Sequence, residues 1–168
     1  MEHAPILAVG ASAVNRSGIF AGEHITKGAV VLRIQGTVLS LDAFFRIPQK
    51  ARDNTYRLRT DAYLDPKETL GKFINHSCEP NSKIVKKSGY LSLIALKRIP
   101  KGAEIFFDYS TVLAKDDFWV MHCRCGTKSC RGVIKNYTSL PPKVLKRYIK
   151  EDILPLYIQK IPPHEGTD

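Results

Sequence analysis

The stretch Gly71-Lys72-Phe73-Ile74-Asn75-His76-Ser77-Cys78 brings an amide, an imidazole, a hydroxyl and a thiol together in its last four residues. Pro80 and Asn81 follow closely, which predicts that the run ends in a turn and does not continue as a strand. The adjacent side chains of Asn75 and His76 offer hydrogen bonds to a polar small molecule. The alternative is a buried loop in which the same two side chains cap neighbouring backbone groups. Signals elsewhere in the chain favour a binding site.

Cys78 has three counterparts, Cys123, Cys125 and Cys130, and the chain has no other cysteine. Four thiols in an intracellular chain favour a metal site over disulfide bonds. Structural zinc takes four tetrahedral ligands, and the C-x-C-x4-C spacing supplies three of them within one compact loop. Cys78 is the only candidate for the fourth. The sequence therefore predicts a zinc ion that joins two distant segments, with free thiols or a redox pair as the alternative.

The composition is ordinary for a single globular domain with a short appendage. The chain has 168 residues, of which 43% are hydrophobic and 25% charged. Its longer apolar runs, such as residues 29–32, fall far short of the roughly 20 residues that cross a bilayer. The segment Met1–Pro5 lacks the basic region and apolar core of a secretory signal. We therefore expect a protein of the cytoplasm or nucleus, without membrane contact.

The chain carries a formal charge of +10, from 26 basic and 16 acidic residues. This excess favours electrostatic contact with nucleic acid, with an acidic partner, or with a complex that contains either. The basic residues are scattered and form neither a dense arm nor an aromatic-studded stripe, so direct reading of a DNA sequence is not expected. The alternative is a basic surface without any cognate polyanion.

Short strands separated by glycine and proline turns predict a mostly β structure for residues 18–109. Residues 29–34 are typical of a buried strand, and residues 55–64 of a hairpin that turns at Asp61. A single helical turn is expected over residues 66–70, directly before the octapeptide.

From Pro141 onward the pattern changes to an amphipathic helix with lysine and arginine residues on its polar face. Four apolar residues share the opposite face: Val144, Leu145, Tyr148 and Ile149. This face packs either in an ordinary core, which we expect, or over a ligand cleft. After a second short turn that begins at Pro155, the chain from Pro162 onward is expected to form a loose tail.

Three signals occur together in this chain: the Asn75–Cys78 run, the run Glu104-Ile105-Phe106-Phe107-Asp108-Tyr109, and the cysteine loop that ends in Arg131-Gly132. In this order and spacing, the chain resembles a SET domain followed by a post-SET zinc loop, the fold of protein lysine methyltransferases. The resemblance covers residues 17–134. No cysteine-rich region precedes it, so the chain looks more like compact, bacterial-type members than like large chromatin regulators.

The resemblance implies a mostly β architecture, the SET-domain β-clip fold of short strands. In this fold the Asn75–Cys78 and Phe106–Tyr109 segments cross in a knot-like arrangement, which is rare among proteins. A zinc-bearing post-SET loop and a C-terminal helical segment would follow. The implied division is a SET domain over residues 1–121, a post-SET zinc loop over 122–134, and a helical extension and tail over 135–168.

The resemblance also implies S-adenosylmethionine as methyl donor and one structural zinc ion. Tyr109 matches the catalytic tyrosine, Phe107 the position that helps to set the number of methyl groups, and Tyr56 an aromatic residue near the first cofactor loop. The positions that match cofactor-binding residues are Ser17, Gly18, Ile19, Tyr56, Lys72, Phe73, Asn75, His76 and Tyr109. The implied zinc ligands are Cys78, Cys123, Cys125 and Cys130.

The chemistry of methyl transfer suits these residue types. The lysine amine must be unprotonated, although its ordinary pKa is about 10.4. A narrow aromatic channel built in part by Phe106, Phe107 and Tyr109 would disfavour the ammonium form by desolvation, and a cationic sulfonium would add to this effect. Alignment and desolvation would then supply most of the acceleration. The alternative for this run is an ordinary buried strand end in which Asp108 caps a turn.

Two departures from the family pattern occur. Arg16 stands where the first cofactor loop usually has its first glycine, and Ile34-Gln35-Gly36-Thr37 replaces an aromatic-glycine-acid pattern. If this alignment holds, one hydroxyl near the lysine channel is missing, and Tyr56 or Tyr63 must compensate. The expected function is methylation of a lysine on a histone tail or another DNA-associated protein. The alternative is a catalytically weak, zinc-stapled module that binds chromatin or acidic partners.

Overall fold

The computed structural model describes residues 3–162. In this range the chain forms twelve short β-strands, four α-helices and three 3₁₀ helices. The strands are β1 (Leu7–Ala11), β2 (Ser17–Ala21), β3 (Val30–Ile34), β4 (Thr37–Ser40), β5 (Tyr56–Arg59), β6 (Ala62–Asp65), β7 (Asn75–His76), β8 (Ser82–Lys87), β9 (Tyr90–Ala95), β10 (Phe106–Phe107), β11 (Met121–His122) and β12 (Val133–Ile134). The α-helices are α1 (Leu41–Arg46), α2 (Gln49–Arg52), α3 (Pro142–Lys150) and α4 (Leu156–Gln159), and the 3₁₀ helices are Leu70–Phe73, Tyr109–Val112 and Tyr137–Ser139.

The strands form small sheets, so the predicted mostly β class is confirmed. Two sheets have three antiparallel strands, in the orders β3-β9-β8 and β4-β6-β5, and β1-β2 and β11-β12 are antiparallel pairs. The pair β7-β10 is parallel, with Asn75 opposite Phe106 and His76 opposite Phe107. A parallel pair needs a long connection between its strands, and here β8 and β9 lie within that connection. The two runs singled out in the sequence are therefore hydrogen-bonded neighbours.

Two local predictions need correction. Residues 29–34 do not form a fully buried strand: Val31 and Ile34 are buried, whereas Val30 and Arg33 are exposed. The pairing of β3 with β9 shifts register between Val30 and Leu32, and this irregularity interrupts the alternation of the two faces. The helical turn expected over residues 66–70 begins later, at Leu70. Residues 66–69 instead close a turn through the Thr69 amide and the Pro66 carbonyl, and the Thr69 hydroxyl accepts a hydrogen bond from the Gly71 amide.

The hydrophobic core has two parts. The larger cluster joins β2, β3, β5, β8 and β9 to Phe107 of β10. The smaller cluster collects the C-terminal helices, and its buried members are Ala114, Leu140, Tyr148, Ile153, Leu154, Ile158 and Ile161. The apolar face of α3 therefore packs in ordinary core, as expected, although Ile149 is 48% exposed and does not belong to that face. A step of about 100° per residue carries Ile149 past the buried edge that Tyr148 occupies.

The tail expected from Pro162 onward lies, apart from Pro162 itself, outside the described residues. Between residues 3 and 162, none of the helices has both the length and the apolar character needed to cross a membrane.

Candidate active site and metal centre

The parallel pair of strands places Tyr109 against the octapeptide. The Tyr109 amide donates a hydrogen bond to His76 Nδ1 at 3.1 Å, and the Tyr109 hydroxyl donates one to the Ile74 carbonyl oxygen at 2.8 Å. The Ser77 amide donates to the Phe107 carbonyl oxygen at 3.1 Å. Burial, reinforced by the negative charge of Glu104, raises the pKa of the Tyr109 phenol above its ordinary value, so this group remains protonated at neutral pH.

Asn75 is held by a carboxylate that the sequence had not marked as a site residue. Its Nδ2 donates to Glu104 Oε1 at 2.7 Å and to the Ser17 carbonyl oxygen at 2.8 Å. A Cβ on Gly18 would lie 2.1 Å from Glu104 Oε1, so a larger residue here would force the Glu104 carboxylate to move away from Asn75. In the sequence, Glu104 stood out only as the first residue of the run that ends at Tyr109, and no role was assigned to it. The Asn75 side chain therefore links Ser17, at the start of β2, and Glu104 in one hydrogen-bonded unit.

A cleft of about 240 Å³ opens beside this unit, between the α1–α2 segment and the chain that follows Tyr109. The ring centroids of Phe107 and Tyr109 are 4.9 Å apart, and those of Tyr56 and Phe107 are 5.8 Å apart. Eight aromatic side chains line the cleft: Phe44, Phe45, Tyr56, Tyr63, Phe107, Tyr109, Phe118 and Trp119. Charged side chains line it as well: Arg52, Asp53, Arg57, Lys72, Asp116 and Asp117.

The cleft includes only some of the site residues expected from the sequence. Tyr56, Lys72, Phe107 and Tyr109 line it. The remaining expected cofactor residues are not part of its lining: Ser17, Gly18, Ile19, Phe73, Asn75 and His76. The Ile19 side chain is buried in the larger core, so only its backbone is available to a ligand.

A buried charge network closes one side of the cleft, and no sequence signal indicated it. Arg57 is 1% exposed and its guanidinium pairs with Asp116 and Asp117, each at 3.1 Å. The same guanidinium donates to the Tyr63 hydroxyl at 2.6 Å, and that hydroxyl donates in turn to Asp117. Buried charges are tolerated when they are paired and hydrogen-bonded in this way. The network ties the hairpin β5-β6 to the chain that follows the Tyr109 helix.

The hydrogen bonds of His76 specify its tautomer. Nδ1 accepts from the Tyr109 amide, so the proton of the neutral ring resides on Nε2, which lies 3.4 Å from Cys78 Sγ. Burial lowers the pKa of His76 to about 4, with the nearby Arg131 charge adding to the effect and Asp108 opposing it. The neutral imidazole therefore bridges the Tyr109 backbone and the first cysteine of the predicted metal site.

The four cysteines converge as predicted. Their Sγ atoms all lie within 4.8 Å of one another, and Cys78 Sγ is 3.8 Å from Cys123 Sγ. Tetrahedral zinc with bonds of about 2.3 Å requires sulfur atoms about 3.8 Å apart, so the donor set fits this metal. The Arg131 amide donates to Cys78 Sγ at 3.3 Å, and the Cys125 amide to Cys123 Sγ at 3.5 Å. No disulfide bond joins any of the four cysteines.

A protein-family model described as the SET domain matches residues 16–110, which is more than half of the chain and includes both the octapeptide and Tyr109. The chain belongs to the SET-domain family.

Curated relatives agree with this assignment. Human "Histone-lysine N-methyltransferase 2B" is 31% identical over 131 residues, which cover 71% of this chain and 5% of the relative. "Histone-lysine N-methyltransferase, H3 lysine-4 specific" of Cryptococcus neoformans is 30% identical over 133 residues, 72% of this chain and 9% of the relative. "Histone-lysine N-methyltransferase, H3 lysine-36 specific" of Mycosarcoma maydis is also 30% identical over 133 residues, 72% of this chain and 14% of the relative. The chain thus spans a small fraction of the length of these relatives.

The structure describes the surroundings of the two positions that depart from the pattern implied by the resemblance. Among the described residues other than glycine, only Ser88 and Asp152 have positive φ, so Arg16 adopts a backbone conformation that needs no glycine. Ile34 is buried in the larger core and does not line the cleft. Tyr56 and Tyr63 both line the cleft, and their hydroxyls are already engaged: Tyr56 donates to the Gly71 carbonyl oxygen at 2.6 Å, and Tyr63 donates to Asp117.

Proposed function

We propose that this chain is a protein-lysine N-methyltransferase that uses S-adenosylmethionine. The observation that carries the proposal is the Tyr109 phenol, which lines an aromatic cleft while its proton is donated to the Ile74 carbonyl oxygen. Because that proton is already engaged, the phenol oxygen is left as a hydrogen-bond acceptor for an incoming amine. The high pKa of the phenol means that Tyr109 orients the amine and does not deprotonate it.

The cleft would prepare the substrate lysine for reaction. When bound, S-adenosylmethionine supplies a methyl group activated by its sulfonium. Tyr56, Phe107 and Tyr109 would surround the lysine side chain and exclude water, which lowers the pKa of its ammonium group and favours the neutral amine. Phe107 carries no hydroxyl and leaves room beside the amine, so products with two or three methyl groups are expected.

For the cofactor we propose the residues on the octapeptide side of Tyr109. The chain's own contacts support this assignment, because Gly18 lies close against the Glu104 carboxylate and Asn75 is oriented by Glu104. The backbone of Ser17, Gly18 and Ile19 would contact the amino-acid end of the donor. The proposed side-chain contacts are Lys72, Phe73, Asn75, His76, Tyr56 and Tyr109.

The cysteine cluster supports one structural zinc ion. The ligands would be Cys78, Cys123, Cys125 and Cys130, whose sulfur spacing fits tetrahedral coordination. The ion would fasten the octapeptide to the loop between β11 and β12. We accordingly propose a SET domain over residues 1–121, a post-SET zinc loop over 122–134, and a helical extension and tail over 135–168.

For the substrate we propose a lysine on a histone tail or another DNA-associated protein, and a nuclear or chromatin-associated setting. Two of the relatives are named for different lysines of histone H3, so their names do not specify one position. A basic tail would be repelled by the overall charge of +10. Asp53, an exposed residue that lines the cleft, is a local acidic contact that would oppose this repulsion.

We also propose an electrostatic contact with DNA or another acidic partner through α3. Its basic residues follow an i, i+3, i+4, i+7 pattern on one exposed face: Lys143, Lys146, Arg147 and Lys150. A four-phosphate contact predicts that log K falls by about 3.6 per tenfold rise in salt. Fluorescence anisotropy with a labelled duplex measures this slope. Replacement of Lys143, Lys146 and Lys150 by glutamate should abolish binding of the duplex. Replacing Lys27, Lys50 and Lys67 in the same way controls for net charge.

The central test offers labelled S-adenosylmethionine to the purified chain with histone octamers and with an array of lysine peptides. The proposal expects methyl incorporation that falls sharply in Tyr109→Phe. Incorporation that is unaffected by this substitution would remove the role assigned to Tyr109. Calorimetric titration with the donor distinguishes the alternative, since a zinc-stapled module that only binds chromatin or acidic partners would give no heat.

A further inference from the structure

The carboxylate of Asp108, the residue before Tyr109, is fully buried and has donors from three parts of the chain. Arg131 of the cysteine loop donates to it through both terminal nitrogens, at 2.6 and 2.7 Å. The Ser110 amide donates to Oδ1 at 3.1 Å, and the Tyr148 hydroxyl of α3 donates to Oδ2 at 2.9 Å. The C-terminal extension therefore reaches the residue adjacent to the proposed catalytic tyrosine.

Asp108 is also the N-cap of the 3₁₀ helix that begins with Tyr109. Its carbonyl oxygen accepts the Thr111 amide at 2.9 Å, while its side chain accepts the Ser110 amide. An N-cap side chain accepts a hydrogen bond from an otherwise unpaired amide and so stabilises the first turn of the helix. The orientation of the Asp108 carboxylate is consequently coupled to the position of the Tyr109 phenol.

The Tyr148 hydroxyl is hard to explain by packing alone. Its ring belongs to the smaller core cluster, whose other buried members are one alanine, three isoleucines and two leucines. Phenylalanine would fill the same space without burying a polar group, and a buried hydroxyl is costly unless it is hydrogen-bonded. The bond that it makes here is to Asp108. Burial, with the Asp108 charge, raises the pKa of this phenol, so it acts as a donor.

We propose that Tyr148 is a positioning residue for methyl transfer, acting through Asp108 on Tyr109. This inference rests on the proposed function, and it gives the C-terminal extension a role in the active site besides its packing. Arg131 neutralises the buried carboxylate, whereas Tyr148 adds a neutral hydrogen bond that fixes the rotation of the same group. Loss of the hydroxyl leaves the ion pair intact and lets the N-cap, and Tyr109 with it, reorient.

The experiment compares Tyr148→Phe with Tyr157→Phe. Tyr157 is a matched control, because it also lies in the C-terminal extension and its hydroxyl also donates a hydrogen bond, to the Arg57 carbonyl oxygen at 3.0 Å. Both variants are assayed well below their melting temperatures. We expect Tyr148→Phe to lower kcat by about tenfold, with KM for peptide and donor changed less than about twofold, and to shift the ratio of mono- to dimethylated product. Tyr157→Phe should leave kcat and this ratio unchanged.

A second readout does not depend on activity. With 3-fluorotyrosine incorporated, the ¹⁹F resonance of Tyr109, assigned by its loss in Tyr109→Phe, should shift in Tyr148→Phe and stay in place in Tyr157→Phe. If both variants lose similar thermal stability while kcat and the Tyr109 resonance stay unchanged, Tyr148 is merely structural and the inference is wrong. If the wild type transfers no methyl group, the proposed function fails, and the ¹⁹F shift still decides whether Tyr148 positions Tyr109.

Discussion

The Tyr109 hydroxyl lies 2.8 Å from the Ile74 carbonyl oxygen and donates a hydrogen bond to it. Ile74 directly precedes Asn75, so one bond ties the proposed catalytic phenol to the proposed cofactor segment. The pairing of β7 with β10 supplies the backbone support for this contact. In the role proposed for it, the phenol would depend on these two strands remaining paired.

Replacing Tyr109 by phenylalanine removes this phenol and should lower kcat by about 10²-fold or more, because alignment supplies much of the acceleration. The lost hydrogen bond should cost only about 1 kcal/mol of unfolding free energy. Steady-state kinetics and thermal unfolding of the same preparation measure both. A variant with unchanged kcat would contradict the assignment.

Gly18→Ala should weaken donor binding. The new Cβ would lie 2.1 Å from Glu104 Oε1 and 3.0 Å from Asn75 Nδ2, so the unit that orients Asn75 must shift. Gly10→Ala is the matched control, since Gly10 is the cross-strand partner of Gly18 and its Cβ would meet only the Phe20 ring, at 3.3 Å. Calorimetric titration with S-adenosylmethionine tests the pair. Equal affinities for the two variants would count against a cofactor site here.

One equivalent of zinc should bind per chain, and Cys78→Ser should lose both the metal and thermal stability. The stability loss should be large, because a structural zinc site contributes directly to the folding free energy. Elemental analysis and a chelator titration followed by circular dichroism provide the measurements. Lys128→Ala, within the same loop, is the control and should keep the metal. Retention of a full equivalent by Cys78→Ser would exclude Cys78 as a ligand.

Arg57→Leu should destabilise the fold by about 3–5 kcal/mol, because it removes the guanidinium that pairs with the buried Asp116 and Asp117 carboxylates. Arg59→Leu, two residues away, removes an exposed pair with Asp61 and should cost less than about 1 kcal/mol. Urea unfolding of both variants measures the two losses of unfolding free energy. Similar midpoints would mean that the buried network contributes little.

The wild type should give dimethyl or trimethyl lysine. Phe107 is buried and contributes a ring without a hydroxyl to the cleft, so it leaves space for a substituted amine. Phe107→Tyr should shift the product toward monomethyl lysine, and mass spectrometry of the peptide reads the distribution. A strictly monomethyl product from the wild type would refute this view of the cleft.

Local sequence patterns predicted the parts of the site that depend on residue type. The four cysteines, Asn75 and His76 were recognisable from their spacing and chemistry, whereas Tyr109 was marked by the resemblance to the SET family. The structure brings the cysteines together and places His76 against Tyr109. Patterns also predicted the hairpin of β5 and β6 and the amphipathic α3. They were less accurate for β3 and for the turn before the octapeptide, where a register shift against β9 and a single Thr69 cap decide the outcome.

The sequence by itself determined the donor atoms and the apolar periodicity, because these are properties of individual side chains and of their spacing. Only the tertiary structure decided which distant groups meet: Glu104 with Asn75, Arg57 with Asp116 and Asp117, and Tyr148 with Asp108. These pairs are separated by 29 to 60 residues. No local pattern encodes such partners, since a buried polar group is stable only where the folded chain supplies the group that satisfies it.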